Sequence, residues 1–234
     1  MKKIFFITSL LALFSHLLLI SCSQDDEIYS CDEDIDKWVK ENKSFIQTLN
    51  RSQWYELSYD VLHASYIAFT QSQKIEFWKE KFEEVKMLDW SKDELDHIQK
   101  AEDNIMNNRQ YFRDDKLSDK ELDEIESFYV KWMKAGEKNF GWTKQTAMAI
   151  VGTGYKMLDK EGNLLIPQRK DNIMSVPFMR TAKEVDCNCN IGSVFTCFAD
   201  PLGSCEVSKS GCSASVRGCG VMWVSPCNGT CGGI

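Results

Sequence analysis

The sequence predicts a mainly α protein, in which a Pro/Gly-free multi-helix body is followed by a β-hairpin and linker and then by a small disulfide-rich C-terminal module. Three observations predict this fold. The 234-residue chain contains no Gly or Pro before Gly136. Apolar residues in that region recur at helical spacing. Eight of the 10 Cys and eight of the 13 Gly lie in the last 48 residues, from Cys187 onward.

Residues 1–21 are predicted to be a signal peptide. Lys2 and Lys3 precede an apolar run over residues 4–20, an order that is typical of an export signal rather than of a membrane-spanning helix. Residues 19–22 resemble the bacterial lipobox, which implies that Cys22 carries the lipid and becomes the mature N-terminus. A plain signal peptide followed by an incidental Cys is the alternative.

Residues 22–30 are predicted to be the lipid anchor and a tether. The sequence directly after Cys22, residues 23–27, is acidic and resembles the surface-export signal of lipoproteins in some Gram-negative groups. The resemblance implies an outer-membrane lipoprotein that is exposed at the cell surface and contacts the membrane through its anchor. The alternative is a solvated tether without a sorting role.

Residues 31–151 are predicted to form the helical body. Four of its segments begin with a capping residue that is followed three positions later by Glu or Gln. The cap side chain can accept a hydrogen bond from an unpaired amide, while the Glu or Gln side chain reaches back to the amide of the cap. The four predicted caps are Asn50, Thr70, Ser91 and Ser118.

The apolar spacing of the body also indicates helices. Two sets of four residues have the spacing i, i+3, i+7 and i+10, which places each set on one helix face. The sets are Ile75, Trp78, Phe82 and Val85, and Leu122, Ile125, Tyr129 and Trp132. An earlier helix is expected to carry Ile35, Trp38, Phe45 and Leu49. A short helix is expected from Lys144 to Val151.

The body has no residue pattern that predicts an enzyme, a metal site or a cofactor. His63 and His97 are its only His residues, and neither belongs to a recognisable nucleophile or ligand arrangement. Charged runs such as residues 79–81 are expected to be solvated helix faces. The six Trp residues are expected to pack in the core, with a ligand groove as the alternative. Residues 22–186 carry a net charge of −9, so nucleic acid is not an expected partner.

Residues 152–186 are predicted to form a hairpin and a linker. Residues 155–158 and 163–166 flank a polar turn that contains Gly162. Pro167 ends this pattern. The stretch from there to Asp186 is basic and only weakly periodic, so we expect an exposed linker that is open to proteases.

Residues 187–234 are predicted to be a Cys-rich module held together by disulfides. Its eight Cys residues are Cys187, Cys189, Cys197, Cys205, Cys212, Cys219, Cys227 and Cys231. So short a segment buries too little apolar surface to fold without staples. Structural zinc prefers C-x-x-C pairs, often with His, and the module has neither, so disulfides are favoured over metal. The pairing stays open, and Cys31 is left as a free thiol or an intermolecular bridge.

Part of this module resembles a known family. The eight Cys, the sequence of residues 187–190 and the stretch Gly218-Cys219-Gly220-Val221-Met222-Trp223-Val224, followed by Cys227-Asn228-Gly229, are similar to fulvocin C and the bacteriocin fulvocin C-related proteins. The resemblance covers about the last fifth of the chain. Its motif residues here are Gly218, Gly220, Trp223, Val224, Asn228 and Gly229.

The resemblance implies a bacteriocin-type antibacterial module, delivered at or released from the cell surface, whose partner is a target-cell envelope or an unknown receptor. The module has no excess positive charge, so action on a membrane would depend on exposed apolar side chains. These are Phe195, Phe198, Val221, Met222 and Trp223. A miniature core in which Trp223 and Val224 cover the disulfides is the structural alternative. The functional alternative is a surface-anchored binding or structural lipoprotein with a protease-resistant head and no killing activity.

Overall fold

The computed structural model describes residues 27–165, 189–195, 197, 204–207 and 213–232. The predicted signal peptide, Cys22 and the acidic residues as far as Asp26 lie outside the described residues. So do the predicted linker from Pro167 to Asp186, and Cys187 and Cys212.

The described part of the chain is mainly helical, which confirms the predicted fold class. Its seven α-helices are α1 (Glu33–Ile46), α2 (Arg51–Trp54), α3 (Tyr59–Ile67), α4 (Gln71–Lys86), α5 (Lys92–Asn107), α6 (Asp119–Phe140) and α7 (Lys144–Val151). A 3₁₀ helix, Arg109–Phe112, follows α5. Within the described ranges, no helix combines the length and the apolar character that crossing a membrane requires.

All four predicted caps are confirmed. Asn50, Thr70, Ser91 and Ser118 each accept a hydrogen bond from the amide three residues later, and the Glu or Gln at that position bonds back to the amide of the cap. Because each bond joins residues only three positions apart, the pattern is readable without knowledge of the tertiary fold.

The predicted helix faces are confirmed for α4 and α6. In the first helix two of the four predicted residues differ, because Leu49 is buried but lies after α1 has ended at Ile46, and Phe45 is exposed. The apolar faces of α4 and α6 are buried or half-buried, and α7 has the predicted bounds. In α1, however, Phe45 is 43% exposed, while Val39 and Ile46 are buried. The buried pair lies seven residues apart and therefore on one face, whereas Phe45 is turned about 100° away from Ile46.

Helix α3 was not predicted. Six of its nine residues are buried, so its polar face is too narrow to produce a clear helical period. Its N-cap, Ser58, makes no side-chain capping bond. Both signals that identify the other helices are therefore missing. The helix packs between α1 and the C-terminal strands.

Six short strands form three two-stranded antiparallel sheets in the described residues. The predicted hairpin is confirmed as β1 (Lys156–Met157) paired with β2 (Leu164–Leu165). In the C-terminal part, β3 (Ser204–Val207) pairs with β6 (Gly229–Gly232). Between them, β4 (Ala214–Cys219) pairs with β5 (Ser225–Cys227).

The C-terminal strands do not enclose a core of their own around Trp223. The hydrophobic core of the helices also contains Phe195, Val221, Met222, Trp223 and Val224. Both sequence-based alternatives for Trp223 are therefore wrong, because this side chain neither faces solvent nor covers the disulfides. It packs among helices. Phe195, Val221 and Met222 were expected to be exposed, and this prediction is also wrong because all three are buried. Phe198 lies outside the described residues.

Candidate functional site in the Cys-rich segment

Three disulfides hold the described part of the Cys-rich segment. They join Cys189 to Cys205, Cys197 to Cys231 and Cys219 to Cys227. Cys31 is disulfide-bonded as well, so its interpretation as a free thiol is wrong. Cys31 also packs against Ala214 and the Cys219–Cys227 pair, which brings the start of the helical body next to this segment.

The Cys219–Cys227 disulfide closes a tight loop, here called the Trp223 loop (residues 219–227). Met222 and Trp223 have φ values of 51° and 54°, which are rare for residues with a side chain. Gly218 precedes the loop with φ 114°, and a Cβ there would lie 2.7 Å from Cγ1 of Ile67. Position 218 therefore requires Gly both for its backbone conformation and for its close approach to α3.

Trp223 fills an aromatic pocket made by the helical body. Its ring centroid lies 4.8 Å from that of Tyr66 and 5.1 Å from that of His63, both in edge-on contacts. Four further rings lie 6.0–6.3 Å away, those of Trp54, Phe77, Trp78 and Tyr155. Burial raises the pKa of the Tyr66 hydroxyl, which accepts a 2.8 Å hydrogen bond from Trp78 Nε1. The pocket is thus mainly apolar, and the Tyr66 hydroxyl in it is bonded within the body.

Arg217 is a second contact between the segment and the body. Its guanidinium, 4% exposed, donates to the carbonyls of Phe112, Arg113 and Asp115 in the turn after the 3₁₀ helix. The Asp114 carboxylate lies 3.6 Å from Nη1. The only basic residue in the described part of the segment therefore bonds to the body and is not available to an external anion.

Glu126 of α6 is a third contact. Its carboxylate accepts hydrogen bonds from the Ser193 hydroxyl at 3.0 Å and from the Val194 amide at 2.5 Å. Burial raises the pKa of this carboxyl above its usual value. The contact holds the turn at residues 190–195 against α6, so the segment is attached to the body at three separate places.

The remaining motif residues are explained by the internal packing of the segment. The amide of Ile191 donates to Asn228 Oδ1 at 2.9 Å, and Asn190 Nδ2 donates to the carbonyl of Pro226 at 2.7 Å. A Cβ at Gly229 would lie 2.5 Å from Cys205 Sγ. Gly220 has φ 69°, and Val224 is 3% exposed in the shared core. The motif residues of the family resemblance therefore lie either in the Trp223 loop or directly beside its two ends.

Three buried cations in the body were not predicted. Arg51, Lys74 and Lys81 are at most 2% exposed. Arg51 donates to the carbonyl of Gly154 at 2.6 Å, and Lys81 donates to that of Tyr155. Burial lowers the pKa of Lys81 well below its ordinary value. Both side chains hold the backbone that forms one wall of the Trp223 pocket.

Lys81 contradicts the expectation that residues 79–81 form a solvated face. It lies three positions after Trp78 and four before Val85, so it shares their buried side of α4. Lys74 lies four positions before Trp78 on the same side. This spacing is the sequence signal that could have identified both residues, although Lys at such positions is ordinarily assigned to solvent.

The two His residues of the body have different surroundings. His97 stacks on Trp132, and its Nε2 lies 2.9 Å from the carbonyl of Trp132. His63 instead touches the Cys-rich segment, because its Nε2 lies 2.5 Å from the carbonyl of Gly218. A ring nitrogen of His63 and the sulfurs of Cys219 and Cys227 all lie within 4.8 Å of one another. Sequence reasoning missed this group because His63 lies more than 150 residues before the two Cys.

Comparison with known proteins gives no match for this chain among protein families, curated proteins or solved structures.

Proposed function

We propose that this protein is an exported lipoprotein, anchored through Cys22 at the outer surface of the outer membrane, whose Cys-rich segment is a built-in part of the folded body and serves as a binding or structural head. The observation that carries the proposal is the burial of Trp223 in the core of the body, at 6% exposure. Because the segment shares the core of the body, we expect it to function at the membrane surface as part of the anchored protein and not as a released peptide.

The distribution of apolar side chains supports a head that stays attached. A peptide that acts on membranes needs apolar residues that can reach lipid, usually beside basic ones. Here Val221, Met222 and Trp223 are at most 6% exposed, and Arg217 is bonded to the body. Withdrawal of the segment would also open the aromatic pocket to water, at a cost that scales with the apolar area exposed.

The outer side of the segment retains an apolar surface for a partner. Among the described residues it consists of Ile191, Val194 and Val207, which are 44%, 40% and 74% exposed. Val207 pairs with Gly229, and a Cβ at Gly229 would lie 2.9 Å from Cγ1 of Ile191, so two of the three side chains flank the same glycine. The Cys189–Cys205 and Cys197–Cys231 disulfides cross-link the strands beside this surface and keep it rigid, which lowers the entropy cost of binding.

Export is supported by the disulfides, which persist in oxidising compartments. Replacing the predicted lipid-bearing residue, Cys22→Ser, is expected to move the protein from the membrane fraction to the soluble fraction, because one lipid anchor is then lost. A matched Ser23→Ala variant should remain in the membrane fraction. Unchanged membrane partition of Cys22→Ser would contradict the proposed anchor.

A bacteriocin-type activity is the second candidate, and the fulvocin-like motif around the Trp223 loop favours it. The two candidates differ in a growth-inhibition assay on related strains with the oxidised protein lacking its signal peptide. An attached head without killing activity predicts no inhibition by the intact protein and saturable binding to cells, which Val207→Asp should weaken. Inhibition by the intact protein at micromolar concentration would instead support the bacteriocin proposal.

A further inference from the structure

We infer that His63, Cys219 and Cys227 form a zinc site when the Cys219–Cys227 disulfide is reduced, so that Zn²⁺ can replace the disulfide as the closure of the Trp223 loop. The inference is independent of the proposed function. It begins from the three potential ligand atoms that lie within 4.8 Å of one another.

The distances suit a tetrahedral ion. With Zn–S bonds of about 2.3 Å and Zn–N bonds of about 2.0–2.1 Å, ligand atoms around zinc lie about 3.5–3.8 Å apart. The histidine nitrogen lies within 4.8 Å of the two sulfurs, and reduction lets the sulfurs move apart to the separation that zinc requires. Two Cys and one His are a common zinc ligand set that leaves a fourth position for water.

The environment of the group also suits zinc. Cys219 and Cys227 are 2% and 0% exposed, and burying net charge at such a place is costly. Two thiolates and a neutral imidazole around Zn²⁺ give a net charge of zero. Nε2 of His63 lies against the Gly218 carbonyl and donates to it in the neutral ring. Nδ1 then carries the lone pair that a metal needs. A ligand His held by a backbone carbonyl is usual in metal sites.

Replacement of the Cys219–Cys227 disulfide by two Zn–S bonds requires a reductant, and a dithiol balances the reaction. A small dithiol, or the dithiol of a thiol oxidoreductase, passes two electrons and two protons to the disulfide and becomes a disulfide itself. Cys219 and Cys227 are then thiols. When Zn²⁺ binds, each thiol releases one proton, and two Zn–S bonds take the place of the S–S bond.

Thiol mapping in the wild-type protein tests this inference. The protein without its signal peptide is reduced with dithiothreitol, freed of the reductant without oxygen, and divided between ZnCl₂ and a chelator before alkylation and peptide mass analysis. Zn²⁺ is expected to protect Cys219 and Cys227 from alkylation relative to the sample with chelator, whatever zinc does at the separate group of Cys189, Cys197 and Cys231, whose sulfurs also lie within 4.8 Å of one another. Equal alkylation of Cys219 and Cys227 with zinc and with chelator would overturn the inference.

Two matched variants assign the histidine. His63→Gln is expected to weaken zinc binding at least about tenfold and to remove the protection, because a ligand is lost. His97→Gln, which changes the other His of the body, should keep wild-type protection. Co²⁺ gives an independent readout, since thiolate-to-cobalt absorption bands should appear with the reduced wild type and shift in His63→Gln. Protection and bands in His63→Gln equal to those of the wild type would also overturn the inference.

Discussion

At the scale of single residues, Trp223 accounts for the attachment of the Cys-rich segment. Its ring enters the pocket of the body, while the loop that carries it has two residues other than Gly, Met222 and Trp223, at positive φ. Such backbone strain costs of order 1–3 kcal/mol per residue and persists only where the surroundings over-determine it. Burial of the indole and closure by the Cys219–Cys227 disulfide provide that constraint.

Trp223→Ala is therefore expected to lower the free energy of unfolding by about 3–5 kcal/mol, the range for large aromatic residues in cores. Urea denaturation of the oxidised protein, followed by far-UV circular dichroism, measures the change. Val207→Ala is the control in the same segment and should change stability by less than about 0.5 kcal/mol, because Val207 is largely exposed. A loss of less than about 1 kcal/mol for Trp223→Ala would contradict the packing.

Lys74 is a second residue whose burial has a measurable consequence. Burial, together with the charge of Arg217, lowers its pKa from 10.5 to about 7, and the Asp114 carboxylate opposes this only in part. Between those two pH values the unfolded chain binds more protons than the folded protein. The contribution of Lys74 to the free energy of unfolding therefore rises with pH from about pH 7 to about pH 10.

Lys74→Met removes this titration. The stability of the wild type relative to Lys74→Met is expected to be constant below about pH 7 and to increase from there to about pH 10, by about 1.4 kcal/mol for each unit of pKa shift at most. Urea denaturation of both proteins over this pH range gives the difference, in which the titration of other groups cancels. Parallel stability curves for the two proteins would show that Lys74 titrates normally.

At the scale of elements, the helices are defined by local bonds at their N-termini. Helix α6 is the longest example. Its cap, Ser118, and Glu121 form a capping box, and the Glu121 carboxylate also binds Arg113 at 2.7 Å and 2.8 Å. Hydrogen bonds from Arg113 and Ser118 hold the pKa of Glu121 well below its ordinary value. The cap therefore also fixes the turn whose carbonyls receive Arg217.

Ser118→Ala is expected to destabilise the protein by about 0.5–2 kcal/mol, since the amide of Glu121 loses its acceptor. Ser127→Ala provides the matched control, because Ser127 is exposed in the same helix and Ala has the higher helix propensity. This second variant should be neutral or slightly stabilising in thermal denaturation. Equal destabilisation by both substitutions would mean that Ser118 has no capping role.

At the scale of the whole molecule, the helical body and the Cys-rich segment share one hydrophobic core. A shared core couples their unfolding, because neither part keeps its buried surface when the other leaves. The segment also depends on its disulfides, which typically contribute about 2–4 kcal/mol each.

The two parts are therefore expected to unfold together. In urea, the far-UV signal of the helices and the fluorescence of the buried Trp side chains should give coincident transitions, and dithiothreitol should shift both midpoints downward together. A reduced protein that keeps the helical transition of the oxidised form would show that the body folds without the segment. Limited trypsin digestion provides a further check, since a segment seated in the core should remain with the body under native conditions.

Much of the fold was predictable because its signals are local. The four capping boxes, the helix at Lys144–Val151 and the hairpin at β1 and β2 all depend on residues a few positions apart. Helix α3 escaped prediction because six of its nine residues are buried, which leaves too narrow a polar face to make the helix visible. For the candidate site, the sequence identified the motif residues. It did not indicate that Trp223 and Val224 lie in the core of the body.

The sequence by itself determined the helical character of the body, most helix starts, the hairpin and the need for disulfides in the Cys-rich segment, because short-range hydrogen bonds and composition specify these features. Only the tertiary structure decided that Trp223 lies inside the body, that Lys74 and Lys81 are buried, and that His63 faces the Cys219–Cys227 pair. These contacts join residues far apart in the chain. Whether such residues meet depends on which apolar faces pack together, and a pattern of neighbouring residues does not contain that information.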